Sequence, residues 1–374
     1  MTNVTKPFLP PLAEVLPSLE AIWESGWLSN GGPFHQALEE ELARYLGVPY
    51  VSLFCNATIA LITAQQGLGI RGEVITTPYS FVATTHALHW MQNTPVFIDC
   101  EPDALTLDPL KIEAAITEST AAIMPMHCYG NTCDVEAIET IAQRYHLPII
   151  YDACHSFGVE DEGGSIFRHG DISVVSFHAT KVFNTFEGGL LVSRTKEMKQ
   201  RVDHLKNFGF VDETKVIEPG MNGKMSEFNA MIGVHQLKYM PKIISARAER
   251  DQLYRGRLKS VEGIYCQPPI RQTVRNYAYF PIFVQDDFAL SRDELYEHLR
   301  EHGIFGRRYF YPLISEFPMY SDLPSAAQHL LPAAYKASRS VICLPLYPDL
   351  AISVVETICD LIEEAARHPR ATDQ

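Results

Sequence analysis

Between residues 33 and 193 short apolar runs alternate with segments of helical period, and few folds accept that order. PFHQALEEELARYL (33–46) spaces its apolar residues as a helix does, and YVSLF (50–54) then reads as a buried strand. Helix ATIALITAQQGL (57–68), strand EVITT (73–77), helix SFVATTHALHWM (80–91) and strand PVFID (95–99) follow. KIEAAI (111–116) is helical, AAIMPMH (121–127) a strand, VEAIETIAQRYH (135–146) a helix and LPIIY (147–151) a strand. DISVVSFH (171–178) and GGLLVS (188–193) add two more strands. The alternation predicts right-handed crossovers and an α/β fold: a mostly parallel sheet with helices on both faces. A chain of 374 residues is too long for one core. A helical stretch from about 225 to 262, strand-like YAYFPIFV (277–284), helix RDELYEHLR (292–300), strand-like SVICL (340–344) and a terminal helix predict a smaller C-terminal α+β domain. The expected division is 1–240 and 241–374, with residues 1–30 as an arm against the small domain.

Composition narrows the function. A formal net charge of −14 argues against nucleic-acid binding, which wants a basic face. No apolar run approaches the roughly 20 residues that span a bilayer. MTNVTKPFLPPLAEVL has no basic region leading into an apolar core, so a cytoplasmic protein is expected. The eight cysteines are scattered without a C-x-x-C pair and read as reduced thiols. His86, His89, His127, Cys128 and Cys133 lack metal-ligand spacing, so no metal is expected. Gly67-Leu68-Gly69-Ile70-Arg71-Gly72 matches the dinucleotide fingerprint, but it follows a helix and precedes a strand. It reads as a helix stop.

In an open α/β sheet, ligands bind beyond the carboxyl ends of the strands. Asn56-Ala57-Thr58 stands there: Asn56 as N-cap, Ala57 small enough for close approach, Thr58 with a hydroxyl, together a phosphate site at a helix N-terminus. Taken alone, the turn is as well explained by capping. Asp152 directly follows strand 147–151, with His155 three residues on; the plain alternative is a capped turn. Ser176-Phe177-His178-Ala179-Thr180-Lys181 ends strand 171–178. Most lysines are solvated, but this one follows an apolar strand in a loop closed by Gly188-Gly189. Desolvation there is expected to lower the amine's pKa and make Lys181 nucleophilic. A phosphate cradle, an acid for a pyridinium nitrogen and a lysine nucleophile are what pyridoxal phosphate requires. Phe81 supplies a ring able to stack on it.

These segments resemble the sugar-nucleotide aminotransferases of the DegT–StrS family, within the fold-type I pyridoxal-phosphate enzymes. The likeness runs through GWLSNGG (26–32), CNATIAL (55–61), TPYSFVATTHA (77–87), PVFIDCEPDALTLDP (95–109), MPMHCYGNTCDVEAI (124–138), YDACHSFG (151–158), SFHATK (176–181), EGG (187–189), GMNGKMSEFNA (220–230) and CLPLYPDL (343–350). It implies that Lys181 holds the cofactor as a Schiff base, Asp152 pairs with the pyridine nitrogen and His155 lies beside the phenolic oxygen. It implies that Ser176 with Ala57 and Thr58 holds the phosphate, and that Phe81 stacks on the ring. Asn222 would reach the phosphate of a neighbouring subunit, making a homodimer with shared sites. Two positions depart from many relatives: NAT stands where they have SGT, and Cys154 lies within the acidic motif. The implied partners are glutamate and a nucleotide-linked keto sugar, in deoxyamino-sugar or glycan biosynthesis. Arg307, Arg308 and Tyr309, in FGRRYFYPL (305–313), are candidates for substrate contact. SFHATK and YFYPL resemble members that aminate carbon 4 of dTDP-4-keto-6-deoxyglucose. Amination at carbon 3 of a 3-keto-6-deoxyhexose, or a non-catalytic regulatory member of the fold, are the alternatives.

Overall fold

The structure is a computed structural model that describes residues 1–367. Strand β1 (Thr2–Asn3) precedes helices α1 (Leu12–Ser25) and α2 (Pro33–Leu46). Then come β2 (Tyr50–Phe54), α3 (Ala57–Leu68), β3 (Glu73–Thr76), α4 (Ala83–Trp90), β4 (Thr94–Phe97) and the short α5 (Ile112–Ala115). β5 (Thr120–Met124), α6 (Val135–Tyr145) and β6 (Ile150–Asp152) lead to a small hairpin, β7 (Glu160–Asp161) and β8 (Gly164–Ser165). β9 (Ile172–Ser176) and β10 (Gly189–Ser193) are followed by α7 (Lys196–Leu205), α8 (Glu227–Leu237) and α9 (Met240–Leu258). The chain ends through β11 (Ile264–Cys266), β12 (Phe280–Val284), α10 (Arg292–Glu301), β13 (Ile304–Phe305), α11 (Pro332–Ser340), β14 (Val341–Leu344) and α12 (Ile352–Arg367).

β3 runs parallel to both β4 and β5, and β6 parallel to β9. Parallel bridges Ile123–Ile149 and Met126–Asp152 join β5 to β6. β10 lies antiparallel between β9 and β2. The strand order is therefore β4-β3-β5-β6-β9-β10-β2, and only β10 opposes the rest. No helix intervenes between β9 and β10, and a loop without a crossover returns a strand antiparallel. The carboxyl ends of β2, β6 and β9 consequently share one edge, which sets Asn56, Asp152 and Ser176 side by side. Side chains alternate across the sheet. Val175 and Leu190 join Leu38, Leu42 and Ile138 on one face, while Val174 and Leu191 join Ala60, Leu61 and Leu88 on the other. A further apolar cluster is built from residues 254–365, including Tyr254, Phe280, Leu299, Ile342 and Ile358.

Several details differ from the sequence reading. The helical stretch expected over 225–262 is two helices, broken at Lys238–Tyr239, with Pro241 in the first turn of α9, where a missing N–H costs little. Helix α4 begins at Ala83, so Phe81 precedes it. Helices α1, α7 and α11 were not expected from the sequence; α1 and α7 bury only two residues each. Gly69 ends α3 in the left-handed conformation, φ 69°, with its N–H on Gln65 and Gln66 carbonyls, which is the helix stop expected there. The N-terminal arm places β1 beside β13. Among the described residues no helix is long and apolar enough to cross a membrane.

Helix α2 starts at Gly32, which has no side chain to cap it. Glu227 of α8, 1% exposed, serves instead: its carboxylate accepts the N–H groups of Phe34 (2.8 Å) and His35 (2.9 Å). A buried acid thereby ties the start of one helix to the start of another nearly two hundred residues away.

His127 and His35 are buried in the neutral form. His127 stacks on Tyr151 at 4.7 Å and accepts the Cys133 N–H; burial, reinforced by the charge of His169, lowers its pKa to about 3. Burial and then Lys206 lower His35 to about 4. In the unfolded chain both titrate near 6.5. Below about pH 6.5 the unfolded chain binds protons that the folded one refuses, so stability falls as the pH drops from 6.5 toward 4. The urea midpoint should be lower at pH 5 than at pH 7, and His127→Gln should flatten that slope. A midpoint that is unchanged or higher at pH 5 would contradict this.

Candidate active site

Helix α3 presents its N-terminus at the end of β2. The Asn56 side chain accepts the Ile59 N–H at 2.9 Å, and the first N–H groups of the helix, those of Ala57 and Thr58, have no partner within it. Two contacts fix this turn from behind. The Cys55 N–H donates to the Gly223 carbonyl at 2.8 Å. Gly189 lies so close to the Asn56–Ala57 peptide that a Cβ there would sit 2.7–2.8 Å from its atoms. The glycine pair after the lysine loop is thus a packing requirement: β10 has to pass directly under the turn.

Asp152, at the end of β6, is 3% exposed. One carboxylate oxygen accepts the Thr84 hydroxyl at 2.6 Å and the other the Cys154 N–H at 3.1 Å. Each oxygen keeps a second lone-pair direction for a cationic ring N–H. His155 accepts the Tyr129 N–H at Nδ1 (3.1 Å), which assigns the ring proton to Nε2. Burial, and then the charge of Lys181, hold the imidazole well below its usual pKa, so it stays neutral.

Lys181 lies in the loop between β9 and β10, with its amine 3.3 Å from the Tyr279 hydroxyl. Burial pulls its pKa down, but Tyr279, Cys154 and Asp152 more than offset this and hold the ammonium above the ordinary lysine value. The sequence reading expected desolvation to dominate. The polar partners that reverse it come from β6 and from the segment before β12, which a reading of the local loop does not reveal.

One cavity of about 240 Å³ is lined by Asn56, Ala57, Thr58, Phe81, Asp152, His155, Ser176, Lys181 and Tyr309, nine of the residues singled out in the sequence. Asn222 is exposed and lies outside it. So does Arg308, whose guanidinium pairs with Asp293 at 2.7 Å and lies over the rings of Tyr296 and Tyr311. Arg307 is exposed and also outside the lining, though its charge reaches Tyr309. A larger surface depression of about 1290 Å³ lies by Arg292, Tyr335 and Arg339, on the side of Arg308, and shares no lining residue with the cavity. Tyr279, Glu187 and His178 line the cavity and were not expected; Tyr279 comes from more than 120 residues beyond Asp152, and no local motif marks it. Among the described residues no cluster of His, Cys, Asp or Glu is placed to hold a metal.

The donor set fits pyridoxal phosphate. Free N–H groups and the hydroxyls of Thr58 and Ser176 suit a phosphate, the buried Asp152 a pyridinium nitrogen, the Lys181 amine an aldehyde, and the half-exposed Phe81 ring a flat heterocycle.

Comparison with known proteins points the same way. The family model described as DegT/DnrJ/EryC1/StrS aminotransferase matches residues 12–363. A dTDP-4-amino-4,6-dideoxy-D-glucose transaminase of Shigella dysenteriae is 53% identical over 361 residues, 96% of this chain and 98% of that protein. Among solved structures, DesI in the presence of its TDP-sugar product superposes with a TM-score of 0.93 at 33% identity, covering 98% of this chain and 93% of that one. NtdA of Bacillus subtilis, with bound cofactor PMP, gives 0.85 at 29% identity over 96% of this chain and 81% of that one.

Proposed function

The chain belongs to the DegT/DnrJ/EryC1/StrS aminotransferase family, whose members depend on pyridoxal phosphate, and on that footing we propose that it moves the amino group of glutamate to carbon 4 of a dTDP-linked 4-keto-6-deoxyglucose. The observation that carries the reading is the convergence of Lys181, Asp152 and the N-terminus of α3 in one cavity. It occurs in a chain more than half identical to a transaminase named for the corresponding 4-amino sugar.

When bound, the cofactor supplies an electron sink conjugated to the substrate nitrogen. The residues around it do the rest. The N–H groups of Ala57 and Thr58, with the hydroxyls of Thr58 and Ser176, hold the phosphate at the positive end of α3. Asp152, held by Thr84 and Cys154, keeps a proton on the ring nitrogen. Neutral His155 offers its Nε2–H to the phenolic oxygen, and Phe81 covers a ring face. The Lys181 amine takes the proton from the donor's α-carbon and returns it across the cavity. Of the two arginines, Arg307 is the candidate for a diphosphate or a carboxylate, being exposed beside Tyr309, whereas Arg308 is engaged by Asp293.

In this reading the site needs a second copy of the chain. Asn222 is exposed and outside the lining of its own chain's cavity, and the segment that carries it has half-exposed apolar side chains: Phe208, Phe210, Val211, Val216 and Ile217. Such groups are suited to meeting a partner. From the partner, Asn222 would supply a side-chain amide to the phosphate.

Two experiments test the reading. Offered dTDP-4-keto-6-deoxyglucose and its 3-keto isomer with glutamate, the protein should aminate the first, and NMR should locate nitrogen on carbon 4. Turnover of the 3-keto sugar alone would sink the carbon-4 assignment. Separately, Lys181→Ala and Asn222→Asp, each inactive, should recover about a quarter of parental activity when mixed and allowed to exchange subunits, because one of the two sites in each heterodimer is intact. No recovery with heterodimers present would assign Asn222 to its own subunit.

A further inference from the structure

Tyr279 sits where a proton carrier would need an anchor. A lysine amine ends a flexible four-carbon stem, and proton transfer demands that it be held in line with the atoms it serves. Among the described residues the Tyr279 hydroxyl is the group hydrogen-bonded to Nζ, at 3.3 Å. The ring itself is confined on three sides: by His155 (4.7 Å), by Tyr129 (5.9 Å) and, edge-on, by Tyr309 (5.8 Å).

The chain leading into Tyr279 is pinned twice, by groups that have no other evident task. Asn276, 2% exposed, donates from its amide to the carbonyls of His155 (2.8 Å) and Phe157 (3.0 Å), and its oxygen accepts the Ala278 N–H (3.1 Å). This fastens the segment to the loop that follows Asp152. Arg247 of α9, also 2% exposed, donates to the carbonyls of Tyr277 (3.0 Å) and Ala278 (3.4 Å), and its Nε has no partner among the described residues. Burying a guanidinium on main-chain carbonyls, without a carboxylate, is a strong commitment to one backbone path.

We propose that Tyr279 is a positioning residue for the proton transfer, its phenol oxygen holding the Lys181 amine between collection and delivery. The inference rests on the reading that Lys181 is the proton carrier. The proton leaves the donor's α-carbon, the C–H electron pair stays with substrate and cofactor, and Nζ becomes an ammonium. The phenol oxygen accepts one N–H of that ammonium. Handing that proton on to the bound cofactor would make the amine neutral again, and the hydroxyl could then donate to its lone pair. The phenol neither gains nor loses a proton.

Tyr279→Phe keeps the ring contacts and removes the oxygen, and the two measurable consequences run in opposite directions. Without its acceptor the ammonium is less favoured, consistent with the contribution of Tyr279 to holding Lys181 protonated. At pH 8 the apo-protein should therefore capture added pyridoxal phosphate faster, by about tenfold for each unit of basicity lost. The half-reaction with glutamate should slow by about tenfold or more, with the KM for glutamate changed less than about threefold. Loss of a merely structural contact would slow both. If Tyr279→Phe does not keep its fold by circular dichroism, Tyr279→Leu must give the same opposed pair. Any other pattern, with the cofactor still attached at Lys181, overturns the role of Tyr279 and leaves the transaminase reading intact. Attachment at another lysine removes the reading beneath it.

Discussion

A carboxylate taken out of water has to be met by donors or by a cation, and at Asp152 that requirement links distant parts of the chain. The Thr84 hydroxyl and the Cys154 N–H satisfy one direction of each oxygen. Thr84 is in turn 2.6 Å from Ser80, which reaches the Met126 sulfur beyond β5. The remaining lone pairs face the cavity. A positive charge placed against them pairs with the buried carboxylate. The parallel strands bring β6 to the same edge as β2 and β9, so the lysine loop comes next to this acid and the phosphate turn lies beyond it, past β10.

The neighbouring charges follow from it. Lys181 lies within the influence of Asp152 and is surrounded by Tyr279 and Cys154, so its ammonium is favoured despite burial. His155 responds in the opposite sense: buried and facing that ammonium, it remains neutral, with Nδ1 already filled by a main-chain N–H. A neutral donor and a cation beside one carboxylate suit a cofactor that carries a phenolic oxygen, an aldehyde and a ring nitrogen at separate corners. The aromatic contacts of Phe310 with Tyr129 and His155 (6.1 Å each) join this arrangement to the C-terminal part of the chain.

Much of this was legible in the sequence because strand ends announce themselves. Asn56, Asp152 and Ser176 each sit where an apolar run stops, and the sheet's direction was implied by the alternation. What escaped reading depends on long separations. Glu227 caps α2 from nearly two hundred residues away, and Arg247 and Asn276 fix Tyr279 from other elements. Arg308 looked equivalent to Arg307 until the fold set Asp293 of α10 against it. The break between α8 and α9 was signalled by Pro241, but a proline in a first turn and a proline within a helix look alike until the turn is placed. Helix α7 hid for a different reason: it faces solvent on much of its surface, and only Val202 and Leu205 are fully buried.

The central claim is that the lysine ending the β9 loop carries the cofactor, opposite the acid that ends β6. Reducing the purified, cofactor-loaded protein with borohydride makes that attachment permanent, and peptide mapping by mass spectrometry then locates it. The account predicts a single pyridoxyl modification on the peptide containing Lys181, and none in Lys181→Ala. A modification on any other lysine, or one that persists in Lys181→Ala at parental stoichiometry, would contradict it.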